Sequence, residues 1–219
     1  MTTKERPILF SGPMVRAVLE GRKTQTRRVV RLRKDKNHPD WPSMPLDILP
    51  MKEGPGWVTL MTRNPNHGGL IDYPAHPGDR LWVRETFREL IDLGAETDSS
   101  SNYYEYKADG LTDYNPEVKW KSPIHMPREA SRITLEIVNV RVERLQAITP
   151  GGVLAEGIKR SGEGYWLAPL AGVPDYPWGH AHQAYGALWN SINHERGYGW
   201  DVNPWVWVIE FKQVNKEKQ

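Results

Sequence analysis

The chain has 219 residues, enough to bury a real core in one domain with long loops or in one domain with a small appendage. It holds no cysteine, which excludes a disulfide framework and a thiolate site, and no run approaches the roughly 18 apolar residues of a membrane-spanning helix. The net charge of +2 hides an asymmetry: residues 1–36 carry eleven Lys or Arg against three Asp or Glu, a local +8 that leaves −6 for the remainder. A basic end of this kind points to a polyanion or a phosphate-bearing ligand, the alternative being a solvated charged face.

Lys4, Glu5 and Arg6 precede only a short apolar step, so no signal-peptide pattern opens the sequence and a cytoplasmic protein without membrane contact is expected. Ten Trp and nine Tyr stand beside only three Phe. Aromatics with a hydrogen-bonding edge suit base or sugar recognition as well as ordinary core packing.

In chain order, the first predicted element is a helix over 13 to 20, with Pro13 at its start, Met14, Val15, Val18 and Leu19 on one stripe, and Gly21 as its stop. Directly after it comes Gly21-Arg22-Lys23-Thr24-Gln25-Thr26-Arg27-Arg28, read as a turn leading into a strand. A lysine near a hydroxyl in such a cationic setting serves either as a nucleophile's activator or as a phosphate clamp. Residues 37 to 79 are rich in Pro, Gly and Asn and read as a long surface excursion, ending at the turn Pro77-Gly78-Asp79-Arg80. That turn launches a strand, Leu81 to Phe87, with Leu81, Val83 and Glu85 on one face and Trp82, Arg84 and Thr86 on the other.

A second loop region, 91 to 130, contains a short strand at Tyr103 to Tyr106. From Arg132 to Arg144 the apolar set runs Ile133, Leu135, Ile137 and then switches to Val138, Val140, Val142, the phase change expected of a β-bulge in a curved sheet. Thr149 as N-cap and Pro150 open a helix over 150 to 157. A Gly, Pro and aromatic loop follows at 161 to 180, then a helix over 182 to 194 with Tyr185, Leu188, Trp189 and Ile192 at helical spacing. A last strand, Trp205 to Phe211, precedes a tail whose end, 215–219, is expected to be disordered.

The order helix, G-x-K-T-x-x-x-R, G-D-x-L-x-V strand, then long strands separated by a short helix resembles the ASCH domain family, small β-barrels related to the RNA-binding PUA domains. The matching pieces are Gly21 to Arg28, Gly78-Asp79-Arg80-Leu81-Trp82-Val83 and Val208-Ile209-Glu210-Phe211. Trp82-Val83-Arg84-Glu85 and Ile124-His125-Met126-Pro127-Arg128 look like the longer members encoded by phages and prophages, for which the location is the host cytoplasm. The resemblance implies an α+β fold over 1–219: a PUA-like, curved antiparallel β-barrel flanked by short helices, with loop insertions at 37–76 and 161–180. Some small bacterial members are amidohydrolases that remove the acetyl group from the exocyclic amine of acetylcytidine, using a Lys, a Thr and a Glu. Carried over by motif, these are Lys23, Thr26 and, by alignment of Leu145-Gln146-Ala147-Ile148-Thr149, Glu156.

In chemical terms, a threonine hydroxyl needs a base to become a nucleophile, and a lysine made neutral by burial and cationic neighbours is one. A carboxylic acid can then protonate the leaving amine. Against this stand an ion-paired or phosphate-bound Lys23, a turn hydroxyl at Thr26 and a solvated helix carboxylate at Glu156. Substrate or nucleic-acid contacts are expected from Arg22, Arg27, Arg28, Arg84, Glu85, His125 and Arg128, with Arg84 and Glu85 orienting a base edge or pairing together, and His125 and Arg128 at the mouth of the barrel. His180, His182 and His194 have no carboxylate or cysteine spacing to complete a metal site, so neither metal nor cofactor is expected. The expected partner is a modified nucleoside or RNA. Three readings follow: an amidohydrolase of acylated cytidine-type nucleosides, a non-catalytic RNA or modified-base binding module, and a ribonuclease. Convergence of Lys23, Thr26 and Glu156 in one concave pocket favours the enzyme; an open basic groove flanked by aromatics favours the binder.

Overall fold

The computed structural model describes residues 3–30, 48–52, 58–62, 70–72, 75–90, 103–110, 119–161, 164–166 and 177–214. The tail 215–219, the basic residues 31–36 and much of 37–76 lie outside this set. The strands are β1 (Glu5–Leu9), β2 (Gln25–Val29), β3 (Ile48–Lys52), β4 (Val58–Thr62), β5 (Leu70–Asp72), β6 (Arg80–Arg84), β7 (Phe87–Leu90), β8 (Tyr103–Tyr106), β9 (Thr134–Arg144), β10 (Lys159–Ser161), β11 (Gly164–Trp166), β12 (Pro177–Trp178) and β13 (Trp205–Val214). The helices are α1 (Gly12–Leu19), α2 (Pro150–Ala155) and α3 (Ala181–Asn193). No helix among the described residues is long and apolar enough to cross a membrane.

The fold is α+β, centred on a five-stranded sheet in the order β1-β6-β9-β13-β2. Only β1 and β6 pair in parallel; the other three pairings are antiparallel. The bulge read from the phase change is present. Opposite β13, Asn139 faces Glu210 and Ile137 faces Phe211, so Val138 is the extra residue. Its side chain is exposed, while Ile133, Leu135 and Ile137 before it and Val140 after it are buried. The bulge therefore keeps both halves of β9 facing the core across a break in alternation.

β13 has an unbroken apolar run because both of its faces are covered. Trp207, Ile209 and Phe211 belong to a core with Val15 and Val18 of α1 and with Leu135 and Ile137. Val206 and Val208 belong to a second core, with Val153 of α2 and Tyr185, Leu188 and Trp189 of α3. β1 and β2 end the strand order, yet the Arg28 guanidinium on β2 donates to the Leu9 carbonyl of β1 at 3.0 Å. The sheet thus curls until its two edges are one side chain apart, and among the described residues no strand pairing joins them.

Four expectations are corrected. The strand predicted for Leu81 to Phe87 breaks at Glu85 and Thr86, after which β7 leaves the main sheet to pair with β8. The stretch 37–76, expected as loop, contains the antiparallel sheet β3-β4-β5. β3 includes Pro50, but as an edge strand it tolerates the missing amide. The stretch 161–180, also expected as loop, contributes to the small sheet β10-β11-β12, whose strands are too short to show a period. Finally, α2 ends at Ala155, so Glu156 is its C-cap residue rather than part of its body.

Candidate functional site

The site is assembled where the ends of α1 and α2 meet the start of β2. Glu20 caps α1, and Gly21, at φ +71°, turns the chain back so that the amides of Arg22 and Lys23 both donate to the Ala17 carbonyl at 2.9 Å. Left-handed backbone of this kind is available to glycine without a Cβ clash. Thr24 is then held from both sides, its amide on the Ala155 carbonyl and its carbonyl on the Phe211 amide, each at 2.9 Å. α2 opens as expected: Thr149 Oγ1 accepts from the Gly152 amide at 3.1 Å, and Pro150 occupies the first turn. It closes at Gly157, φ +99°, where an added Cβ would lie 2.9 Å from the Ala17 Cβ and 3.3 Å from the Lys23 Cβ. This close approach sets Lys23 against Glu156.

Lys23 Nζ donates to Glu156 Oε2 at 2.8 Å and to the Glu156 carbonyl at 3.0 Å. Arg27 Nη1 donates to the other carboxylate oxygen at 3.0 Å, while its Nε and Nη2 hold Glu143 on β9. Tyr185 of α3 closes the group on another side, its ring centre 5.8 Å from the Arg27 guanidinium. The side chains of Lys23, Arg27 and Glu156 are only 0%, 1% and 4% exposed. Burial pushes the Lys23 ammonium below its ordinary range; the attraction of Glu156 opposes this shift without cancelling it, and Arg28 and Arg27 add to it. Burial works against the Arg27 charge too, but Glu156, Tyr185 and Glu143 outweigh it and its pKa rises. The Tyr185 phenol is pushed well above its ordinary value by burial and by the Glu156 carboxylate.

Thr26 and Glu156 line one cavity of about 760 Å³, within the range of small-molecule sites. The cavity follows the open edge of β2 and reaches the first residues of α1 on one side and Tyr185, Leu188, Trp189 and Ile192 of α3 on the other. Thr26 is buried within β2, opposite Ile209, and is not a turn residue. Glu156 is a buried carboxylate, not a solvated one. Lys23 sits behind Glu156 rather than on the cavity wall.

The remaining predicted contacts divide. Arg27 and Arg28 line the cavity. Arg28 donates to the carbonyls of Leu9 and Arg27, and its guanidinium lies 5.7 Å from the centre of the Phe10 ring. Arg22, Arg84, Glu85, His125 and Arg128 are not among the residues lining it. Arg22 is held by Glu20 and by the Gly157 carbonyl, each at 2.6 Å. Arg84 donates to the Ile124 carbonyl at 3.1 Å and stacks on Trp82. Glu85 does not pair with Arg84. It is buried and takes two hydrogen bonds from Arg132, at 2.9 and 3.1 Å, and burial nevertheless raises its carboxyl above the usual range. Arg128 pairs with Glu5 at 2.9 Å, and His125 is exposed at the end of a short 3₁₀ turn. Arg22, Lys23, Arg27 and Arg28 are thus engaged within the protein, holding the end of α2, β9 and β1 around β2.

Sequence reasoning missed Tyr185 and Glu143. Tyr185 was visible only as one apolar position on the α3 stripe; that its ring meets the Arg27 guanidinium depends on the packing of α3 against β2 and α2. Among the described residues, no three His, Cys, Asp or Glu side chains gather in a metal-holding group; His182 Nε2 lies 2.7 Å from the Ile148 carbonyl. Searches against protein-family models, curated proteins and solved structures give no match to this chain.

Proposed function

We propose that the chain is an amidohydrolase that removes an acyl group from the exocyclic amine of a cytidine-type nucleoside, on a curled, open barrel of the PUA-like ASCH kind. The observation that supports this reading is the buried Lys23 to Glu156 contact at 2.8 Å, directly behind a cavity that both Glu156 and Thr26 line. A solvated basic surface needs no lysine with a depressed pKa locked to a carboxylate; proton transfer at a threonine does.

In this reading the Thr26 oxygen attacks the acyl carbonyl, and the hydroxyl proton passes to the Glu156–Lys23 pair. Collapse of the tetrahedral adduct breaks the bond to the exocyclic nitrogen, which leaves as the amine with that proton. Water then cleaves the threonine ester, releasing the carboxylic acid and restoring the hydroxyl. Burial of the pair keeps its shared proton away from bulk water. Arg27 fixes the carboxylate through its other oxygen. The same atoms count against the binding-module alternative, because Arg22, Lys23 and Arg27 already hold partners within the protein.

The test is to incubate the purified protein with a panel of acylated cytidines and to follow cytidine release by chromatography. Residues that act as one unit give non-additive losses, so Lys23→Ala, Thr26→Ala and the double variant should fall to a similar residual rate. The rate should also decline as pH drops through the lowered pKa of Lys23. A folded Thr26→Ala protein that keeps its rate refutes the assignment. If the unmodified protein releases no cytidine from any member of the panel, the binding-module reading replaces it.

A further inference from the structure

The far end of α3 brings to the cavity a polar group that the proposed hydrolysis does not use. Asn193 is the last residue of α3 and lines the cavity, with only 9% of its surface exposed. Its Nδ2 turns back along the helix and donates to the Trp189 carbonyl at 3.3 Å. That contact fixes the orientation of the amide, because a carbonyl only accepts: the nitrogen must face Trp189, and the Oδ1 is left as the outward atom. The Oδ1 accepts no hydrogen bond among the described residues and is not closed off from solvent. Nor is it used as a cap, since the 3₁₀ turn His194–Arg196 that Asn193 opens has no side-chain cap bond. The main chain around it is held in place, the Asn193 carbonyl accepting from the Tyr198 amide at 3.1 Å and the Trp189 Nε1 donating to the Tyr198 carbonyl at 2.6 Å. A nearly buried acceptor is thus pre-positioned on the cavity wall for a donor that the protein itself does not provide.

The surroundings select that donor. Arg196, three residues further on, also lines the cavity; its side chain is exposed and makes no hydrogen bond or ion pair among the described residues. A free acceptor and a free donor so close in the chain suit a group that both donates and accepts. A hydroxyl does this, whereas a phosphate or carboxylate oxygen has no hydrogen to give the Oδ1 and meets its lone pairs instead. Position says which hydroxyl. Tyr185, beside Arg27 and hence Glu156, marks the catalytic end of α3, and Asn193 lies eight residues beyond it, about 12 Å along the axis by the α-helical rise. This offset places Asn193 away from the bond cleaved at Thr26 and Glu156, by about the span from an acyl group on a cytosine amine to the hydroxyls of the ribose. Leu188 and Ile192 line the stretch between, Ile192 with its apolar side chain exposed, and give the base a surface to lie on.

We infer that Asn193 is a specificity-determining residue for the sugar: its Oδ1 accepts a ribose hydroxyl and Arg196 donates to the same pair of hydroxyls, so that the far end of the cavity reads the ribose while Thr26 and Glu156 act on the acyl group. This inference rests on the proposed reaction for the placement of the acyl end.

The experiment is calorimetric titration of the whole protein with cytidine, 2′-deoxycytidine, 3′-deoxycytidine and 1-methylcytosine, which reads the subsite without requiring turnover. Cytidine should bind roughly three- to tenfold more tightly than at least one deoxy analogue, the worth of one uncharged hydrogen bond, and more tightly than 1-methylcytosine by at least as much. Asn193→Ala, checked for an unchanged melting profile, should weaken cytidine by that factor. It should leave 1-methylcytosine, and the analogue lacking the contacted hydroxyl, nearly as they were; a purely structural asparagine gives no such non-additivity. Arg196→Gln, at an exposed side chain, carries the same test if Asn193→Ala proves unstable. Equal affinity for cytidine and all three analogues, absence of binding by all four, or a loss on Asn193→Ala that is the same for cytidine and 1-methylcytosine overturns the subsite. Hydrolysis of acetylcytidine and of acetylated 1-methylcytosine with equal kcat/KM would leave the proposed reaction standing without this subsite. Ribose-dependent binding that Asn193→Ala removes, with no hydrolysis of either, would do the reverse.

Discussion

Glu156→Gln is the most informative single perturbation, because one carboxylate balances two buried cations. With Lys23, Arg27 and Glu156 almost wholly out of water, removing the negative partner leaves positive charge stranded, and breaking a buried pair in this way costs about 3–5 kcal/mol. Two features place this case at the lower end. Arg27 retains Glu143, and Lys23, already shifted downward, escapes the penalty by giving up its proton. The expected loss is therefore about 3 kcal/mol near neutral pH, or roughly 6–12 °C in melting temperature for a chain of this size. Lys23→Met should cost less, since Glu156 keeps Arg27. The double variant should lose less than the sum of the two, with a coupling of about 1–3 kcal/mol. Urea unfolding followed by tryptophan fluorescence and by circular dichroism measures all four proteins. The pH dependence adds an independent check. A lysine whose folded pKa is lowered takes up fewer protons folded than unfolded between that value and 10.5, so stability rises with pH across this window. Lys23→Met should remove this component of the slope. A Glu156→Gln protein within about 1 kcal/mol of the parent, or strict additivity in the double variant, would refute the account of the buried triad.

Two further outcomes are expected from geometry at other positions. Gly157→Ala forces a side chain into left-handed backbone and against Ala17 and Lys23, so it should destabilise by about 1–3 kcal/mol and, if the proposed reaction holds, reduce turnover by displacing the lysine; thermal unfolding and the cytidine-release assay test both. Glu85 has a raised folded pKa, so its contribution is full below its unfolded value near 4.5 and is lost as pH rises through the folded one; Glu85→Gln should flatten the stability profile in that acid range, as read by urea unfolding at a series of pH values.

What could be read in the sequence was whatever is local. The α1 stripe with its glycine stop, the Thr149 cap and the β9 bulge each depend on neighbours within a few residues, and each stands close to its expected place, except that Leu19 of the stripe is exposed and Ala17 is buried in its stead. The errors fell where a partner distant in the chain decides. Continuous alternation through Glu85 and Thr86 predicts one strand, but Arg132, 47 residues away, claims the Glu85 carboxylate where the chain leaves the main sheet. The basic segment was legible as charge and not as direction. Its arginines look equivalent in the sequence, whereas strand pairing of β2 along β13 sends Arg27 toward Glu143 and Tyr185 and Arg28 toward Leu9 and Phe10. Of the cations behind the local +8, Arg22, Lys23, Arg27 and Arg28 hold partners within the protein and are therefore not free to form a surface for polyanions. The chemistry that remains lies in one pocket that Thr26 and Glu156 line, with the buried Lys23 behind the carboxylate.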